Sequence, residues 1–354
     1  MKIETPTLLI DKSKVESNIQ SMLNKIDSNT IFRPHFKTHQ SAIIGEIFKE
    51  KGVDKITVSS VSMAQYFSGN GWNDITIAFP VNLLEVDSIN ELAKKVKLNI
   101  LVESSFSAEF LHKNIYESIG VIIKIDTGYN RTGLIENDPK IDSILEIISS
   151  NNKLTFKGFL THAGNTYDAV GRIEILAILE ESRSKLSNLK QKYISRFPNI
   201  IISYGDTPSC SICDNFDGFD EIRPGNFVYY DVMQYHIGSC SLSNIAVAVA
   251  CPIVSTHKSR SEIVIYGGAV HFSKEYIAAD NEFRLFGYIV RVNENGWGNP
   301  ISGAYLKSIS QEHGIIKVPD DIFNEFLPGD IIGILPIHSC LTADLLRKSS
   351  LIIN

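Results

Sequence analysis

The chain has 354 residues. That exceeds the ~100–200 usual for one domain, whereas a (β/α)8 barrel alone takes ~250, so one barrel plus a smaller domain fits. A composition 44% hydrophobic and 21% charged excludes an intrinsically disordered chain, and a formal net charge of -6 excludes a broad basic surface for nucleic acid or anionic lipid.

In chain order, TPTLLIDKSKVESNIQSML reads as a short strand and a helix. Eight apolar, β-branched runs follow: IFRPHF, KITVSS, DITIAF, LNILVE, GVIIKID, LTFKGFLTH, NIIISYG and DEIRPGN. Segments of helical period lie between them, such as QSAIIGEIFKEKG and GRIEILAILEESRSKLSNLKQKYISRF. Strand alternating with helix predicts an α/β fold, a (β/α)8 TIM-type barrel with a parallel sheet. After about residue 236 long helices give way to strand-like runs, SNIAVAVACPIVSTH, SEIVIYGGAV, EFRLFGYIVRVN and GDIIGILPI. The expected division is therefore a barrel over 1–236, whose first strand is free to join the other domain, and a C-terminal β-rich domain over 237–354.

The opening residues contain no apolar stretch followed by a small-residue cleavage site, and no run reaches the ~18 apolar residues that span a bilayer. The expectation is a cytoplasmic protein with no membrane or nucleic-acid partner and a small-molecule substrate. Five cysteines do not resemble a disulfide framework. Cys210 and Cys213 form a CxxC, but with no second pair it is weak evidence for zinc or redox work.

The active site of a (β/α)8 barrel lies at the carboxyl ends of its strands, and the polar residues fall there repeatedly. Strand one ends in His35, Phe36, Lys37 and His39, and strand five is followed by Asp126, Thr127, Gly128, Asn130, Arg131 and Gly133. Strand six ends in His162, Ala163 and Gly164 with Tyr167 beyond, and strands seven and eight run into GDTPS and RPGN. Each turn taken singly reads as an ordinary βα loop. Together, the Gly, Ser and Thr donors of the last two turns suit a phosphate site, and a lysine facing such a site suits a Schiff base.

These residues resemble the fold type III pyridoxal phosphate (PLP) enzymes, the alanine racemase-like barrels, in the branch of D-serine dehydratase and D-threonine aldolase. The resemblance rests on TPTLLIDKSKVESNI, RPHFKTH, DTGYNRTGL, THAGNTY, GDTPS, EIRPGNFVYYD, SQEHG and PIHSC, in that order over nearly the full chain. It implies that Lys37 is the lysine holding PLP and that Arg131 bonds the cofactor's phenolic oxygen. It further implies that Thr207, Gly225 and Asn226 hold the phosphate and that Tyr167 lies near the ring. Arg223 aligns with an arginine that contacts the pyridine nitrogen in alanine racemases, yet it also reads as a structural turn ion-paired to Glu221, and the pyridine partner stays open.

His338 and Cys340 sit two apart, so on a strand both side chains would share a face, and imidazole with thiolate suits zinc. A buried Cys and a satisfied His are the plain alternative, since two ligands alone make no site. The resemblance selects zinc, with water and substrate completing the coordination. His271, Lys274 and His313 read as structural, second-sphere or interface residues.

The function expected from the resemblance is a PLP-dependent, zinc-dependent lyase acting on β-hydroxy D-amino acids. It would deaminate a D-serine-like substrate to a keto acid and ammonia, or cleave a D-threonine-like substrate by retro-aldol reaction. The alternatives are an amino-acid racemase, for which HxC would lack a purpose, and a non-catalytic PLP carrier, which the long second domain disfavours. Related enzymes imply a homodimer.

Overall fold

The computed structural model describes residues 2–279 and 283–353. By its contacts the chain divides into two compact units, Ser21–Lys37 with Ser41–Gly225, and Met1–Gln20 with Thr38–Gln40 and Asn226–Asn354. Against the expected division at 236, residues 226–236 group with the second unit, as do the first twenty.

The first strand, β1 (Thr7–Asp11), belongs to the second unit. The first unit is built on β2 (Ile31–Phe32), β3 (Ile56–Val58), β4 (Asp74–Pro80), β5 (Lys97–Val102), β6 (Ile119–Lys124), β7 (Leu154–Leu160), β8 (Ile201–Tyr204) and β9 (Glu221–Ile222). All eight pair in parallel in the order β2-β9-β8-β7-β6-β5-β4-β3. The parallel bridge between His35 and Thr57 joins the two ends of that order, so the sheet closes into the expected barrel. Each of the eight apolar runs supplies one strand, because a parallel strand covered on both faces is apolar along its length.

Serines start several of the intervening helices. Ser41, Ser60 and Ser104 each accept the N–H three residues on, from Ile44, Met63 and Ser107, and satisfy donors that a helix start leaves unpaired. Gly158 allows β7 to approach β8 closely: its φ is +142°, and a Cβ there would lie 1.9 Å from the Ile201 carbonyl oxygen.

Strand alternation sorts the side chains. Just past β2, Phe36 sits in an aromatic cluster, with ring centroids 5.0 Å from Phe48, 5.0 Å from Phe67 and 4.9 Å from Trp72. Arg33 turns instead to Glu221 and Asp74, and Lys37 lies close enough to His162 for its charge to act there. Inside the barrel Leu101, Ile122 and Leu160 form one apolar layer with Ala78. Two residues further along these strands come Glu103, Lys124 and His162, which stand one layer nearer the mouth.

Toward the amino ends of the strands the interior is charged. Arg33 Nε donates to Glu221 at 2.6 Å and Nη1 to Asp74 at 2.6 Å, while Ser203 Oγ donates to the other Glu221 oxygen at 2.6 Å. Arg223 Nε donates to the same Ser203 hydroxyl at 2.7 Å, and its Nη2 donates to the Thr161 carbonyl. The ion pair expected between Arg223 and Glu221 is thus replaced by a relay. Glu221 pairs with Arg33 and meets Arg223 through Ser203.

The second unit is antiparallel except where β1 pairs with β18, and is made from β10 (Val247–His257), β11 (Glu262–Tyr266), β12 (Ile277–Ala279), β13 (Phe283–Leu285), β14 (Gly287–Asn293), β15 (Gly296–Ile309), β16 (His313–Lys317), β17 (Ile331–Pro336) and β18 (Ser350–Ile353), with β1. Its main sheet runs β11-β16-β15-β14-β17-β10-β1-β18, and β10 also pairs with β11. The first half of β10 lies between β1 and β17, and after a register break at Ile253/Ser255 its second half turns to β11. That double use closes a six-stranded ring, which β1 and β18 extend. The expected run SEIVIYGGAV ends as a strand at Tyr266, and a short helix, Ala269–Phe272, takes the rest. Among the described residues no helix is long and apolar enough to cross a membrane.

Candidate active site

The barrel mouth collects positive charge. Lys124 closes β6 and is buried, so desolvation first, and then the neighbouring charges of Arg223 and Arg131, bring its pKa down to about 7. His162 Nδ1 donates to the Gly205 carbonyl at 2.7 Å, which leaves Nε2 as the acceptor nitrogen. Burial, then the charges of Lys37 and Lys124, push that imidazole well below its ordinary pKa, so it is neutral. Arg223 is buried too, and desolvation lowers it to about 10, which leaves it charged at neutral pH. Among the described residues none of Lys37, Lys124, Arg131 and Arg223 sits in a side-chain ion pair. A barrel mouth lined by these basic side chains suits an anionic ligand.

The loops after β6, β7, β8 and β9 meet around that charge. The Arg131 guanidinium lies 4.8 Å from the centre of the Tyr129 ring, and Tyr129 packs so closely on Gly164 that a Cβ there would be 2.3 Å from the ring. The Tyr129 and Tyr167 rings stand 5.9 and 6.3 Å from His162. The Thr207 N–H donates to the Tyr167 hydroxyl at 3.3 Å, and the Gly225 N–H donates to Thr207 Oγ1 at 3.4 Å. Three residues expected at the cofactor are therefore linked directly, by long bonds that leave room for a better acceptor. Behind them Asp206 accepts from Thr166 Oγ1 and from Ser209 N–H and Oγ, and burial raises its pKa to about 6. Lys37 is exposed at the carboxyl end of β2.

In the second unit, His338 and Cys340 are brought together, but not by a strand. The strand β17 ends at Pro336, His338 has extended backbone, and Cys340 lies in the helix Ser339–Leu345. Cys340 nevertheless hydrogen-bonds the His338 ring. Thr38 Oγ1 lies 3.2 Å from Cys340 Sγ, and the Asn226 amide nitrogen donates to that sulfur at 3.5 Å. Glu275 Oε2 stands 2.6 Å from His338 Nδ1. Burial lowers the basicity of His338, yet its bonds to Cys340 and Glu275 and the charge of Asp231 outweigh that and raise its pKa to about 11. An imidazole so surrounded by anionic groups attracts a cation, whether proton or metal. Among the described residues no group of three or more His, Cys, Asp or Glu side chains is arranged around a metal position, so a metal here would draw its other ligands from water or substrate.

Asn226 departs from the role expected of it in one respect. Its amide nitrogen is committed to Asp231 at 2.6 Å and Ser339 Oγ at 3.1 Å, leaving an oxygen that cannot donate to phosphate. What Asn226 can offer an anion is its backbone N–H. His271 is held within its own turn, where Nδ1 accepts the Gly268 N–H at 3.1 Å. Cys210 and Cys213 are buried free thiols, and Cys213 Sγ donates to the Asn215 carbonyl at 2.6 Å. Lys124 was missed by the sequence reading. Its signal is positional: it stands two residues past an inward-facing Ile122 on a strand otherwise apolar.

A family model described as alanine racemase, N-terminal domain, matches residues 10–232, and one described as putative serine dehydratase domain matches residues 246–352. The D-threo-3-hydroxyaspartate dehydratase of Delftia sp. (strain HT23) is 26% identical over 97% of this chain and 92% of its own length. Its solved structure superposes with a TM-score of 0.89 over 97% of this chain and 93% of that one, and a cysteine-to-alanine mutant of it has been solved in a metal-free form. A D-serine dehydratase of Dictyostelium discoideum is 29% identical over 99% of this chain and 94% of its own length. The D-threonine aldolase from Filomicrobium marinum, 21% identical, shares the fold with a TM-score of 0.79 over 97% of this chain and 90% of that one. With the two models matched in this order, the chain belongs to the alanine racemase N-terminal-domain family of fold type III barrels, in the branch that carries a serine dehydratase-type second domain.

Proposed function

We propose that this chain is a PLP-dependent, zinc-assisted lyase that dehydrates β-hydroxy D-amino acids of the D-serine and D-3-hydroxyaspartate type, yielding a keto acid and ammonia. The observation that carries the reading is the barrel mouth, where Lys37, Lys124, Arg131 and Arg223 bring positive charge to a neutral His162. Bound PLP supplies an electron sink for Cα, and zinc a Lewis acid for the β-hydroxyl.

Lys37 is the residue that would hold the cofactor, and its Nζ is the group that would take the Cα proton. Thr207 and Gly225, whose mutual bond is long, turn their donors to the phosphate, with the Asn226 backbone N–H. Arg131 would bond the phenolic oxygen, and Tyr167 would lie near the ring. His338 and Cys340 supply imidazole and thiolate to the metal. Loss of the β-hydroxyl as water, followed by hydrolysis of the enamine, gives the products without any oxidant.

Dehydration ranks ahead of aldol cleavage because the two dehydratase relatives are 26% and 29% identical over nearly the whole chain, against 21% for the D-threonine aldolase. A racemase or a PLP carrier leaves the His338 and Cys340 pair without a task. A homodimer goes with this reading, supported by apolar side chains exposed on the barrel unit, among them Phe79, Leu84, Phe106 and Ile173. The deciding experiment incubates the protein with D-serine, D-threonine and D-3-hydroxyaspartate and measures keto acid, glycine and aldehyde separately. Keto acid from D-serine or D-3-hydroxyaspartate supports the dehydratase, glycine with aldehyde replaces it by an aldolase, and racemised substrate alone overturns the lyase.

A further inference from the structure

We infer that Glu275 is a positioning residue for a metal at His338: it accepts the His338 Nδ1–H and so fixes the ring with Nε2 free to bind the ion. The inference rests on the reading of His338 and Cys340 as metal ligands.

The geometry is specific. Glu275 Oε2 lies 2.6 Å from His338 Nδ1, within the range of a charge-assisted hydrogen bond. A carboxylate has no proton to give at neutral pH, so the proton of this bond sits on Nδ1 and leaves Nε2 as the nitrogen not held by Glu275. With its Nδ1–H held in this way, the ring has Nε2 alone to offer a metal, in exchange for the proton there, and its plane is fixed.

The loop that carries Glu275 is shaped for the task. Ser273 has φ +71°, a conformation that L-residues seldom adopt, and its hydroxyl accepts the Glu275 N–H at 3.3 Å. An exposed carboxylate that met an imidazole by chance would have no use for such a turn. Here the backbone bends at Ser273, and Glu275 reaches the histidine 63 residues further on.

The test is zinc affinity, measured by chelator competition on the full chain, for wild type, Glu275→Ala, Glu275→Gln and His338→Ala. Thermal unfolding of each metal-free protein is followed alongside. The expected result is a 10–100-fold weaker affinity in Glu275→Ala, the loss typical of removing a histidine ligand's carboxylate partner. Recovery toward wild type is expected in Glu275→Gln, whose amide oxygen still accepts the Nδ1–H, with metal-free melting temperatures within a few degrees of one another. If His338→Ala loses zinc while Glu275→Ala binds it as tightly as wild type, the positioning role is overturned and the metal reading stands. If wild type and His338→Ala bind zinc alike, the metal reading falls and takes the positioning role with it. A metal-free Glu275→Ala protein that melts far below wild type, with Glu275→Gln not restoring affinity, assigns Glu275 to the fold and overturns the inference.

Discussion

Asp231 accepts the backbone N–H of Ser339 at 2.9 Å, the peptide that lies between His338 and Cys340. The same carboxylate accepts the Asn226 amide at 2.6 Å and the Gln234 N–H at 2.9 Å, and it is buried. One carboxylate thus fixes both the turn that brings imidazole to thiolate and the side chain of an expected cofactor residue.

Replacing Asp231 with Ala strands several buried donors at once, each costing about 1–3 kcal/mol unsatisfied. The expected loss is roughly 3 kcal/mol in urea unfolding of the metal-free protein, together with weaker zinc binding. Unchanged unfolding would mean that the turn holds itself.

Lys124 gives a pH signature. Its folded pKa of about 7 is below the ordinary lysine value of 10.5, so between those pH values the unfolded chain holds a proton that the folded chain lacks. Stability of the cofactor-free protein therefore rises with pH through that window, by roughly 4 kcal/mol from this group alone. Lys124→Met should lose that slope and gain stability at neutral pH. Urea midpoints at pH 7, 8.5 and 10 for both proteins measure the difference, and parallel slopes would show that Lys124 is charged when folded.

Lys37→Ala is expected to abolish turnover and the visible absorbance of covalently held cofactor while leaving zinc bound. Borohydride reduction followed by peptide mass spectrometry should place the cofactor on Lys37 in wild type. A label on Lys124 instead would reassign the lysine.

Cys340→Ala should drop zinc content below stoichiometric and cut dehydration by about 100-fold or more, since the metal's share of leaving-group activation is lost. Cofactor absorbance should persist. Chelator treatment of wild type should reproduce the loss, and added zinc should reverse it in wild type only.

The barrel was legible because most residues of its strands are buried, so IFRPHF through DEIRPGN stand out as apolar runs between helices. The longest strand of the second unit, β15, was not, since GWGNPISGAYLKSI carries Gly, Asn and Pro that read as turns. Tyr167, Thr207 and Gly225 could be picked out because loops at strand ends have turn chemistry visible in composition. Arg33 and Lys124 could not, because a charge within an apolar run looks the same whether it points outward or inward. HxC was found through a spacing argument for a strand, while the chain places it at the start of a helix, where hydrogen bonds bring the two side chains together.

The pairing of β1 with β10 sets Leu8 opposite Val249 and Ile10 opposite Val247. During synthesis these three apolar residues, Leu8 to Ile10, emerge ahead of the whole barrel sequence and wait for partners made some 240 positions later. A nascent chain whose barrel has already collapsed still trails an unpaired, sticky strand, so the window for aggregation closes only when β10 leaves the ribosome. Yield on expression should depend on how well that interval is chaperoned.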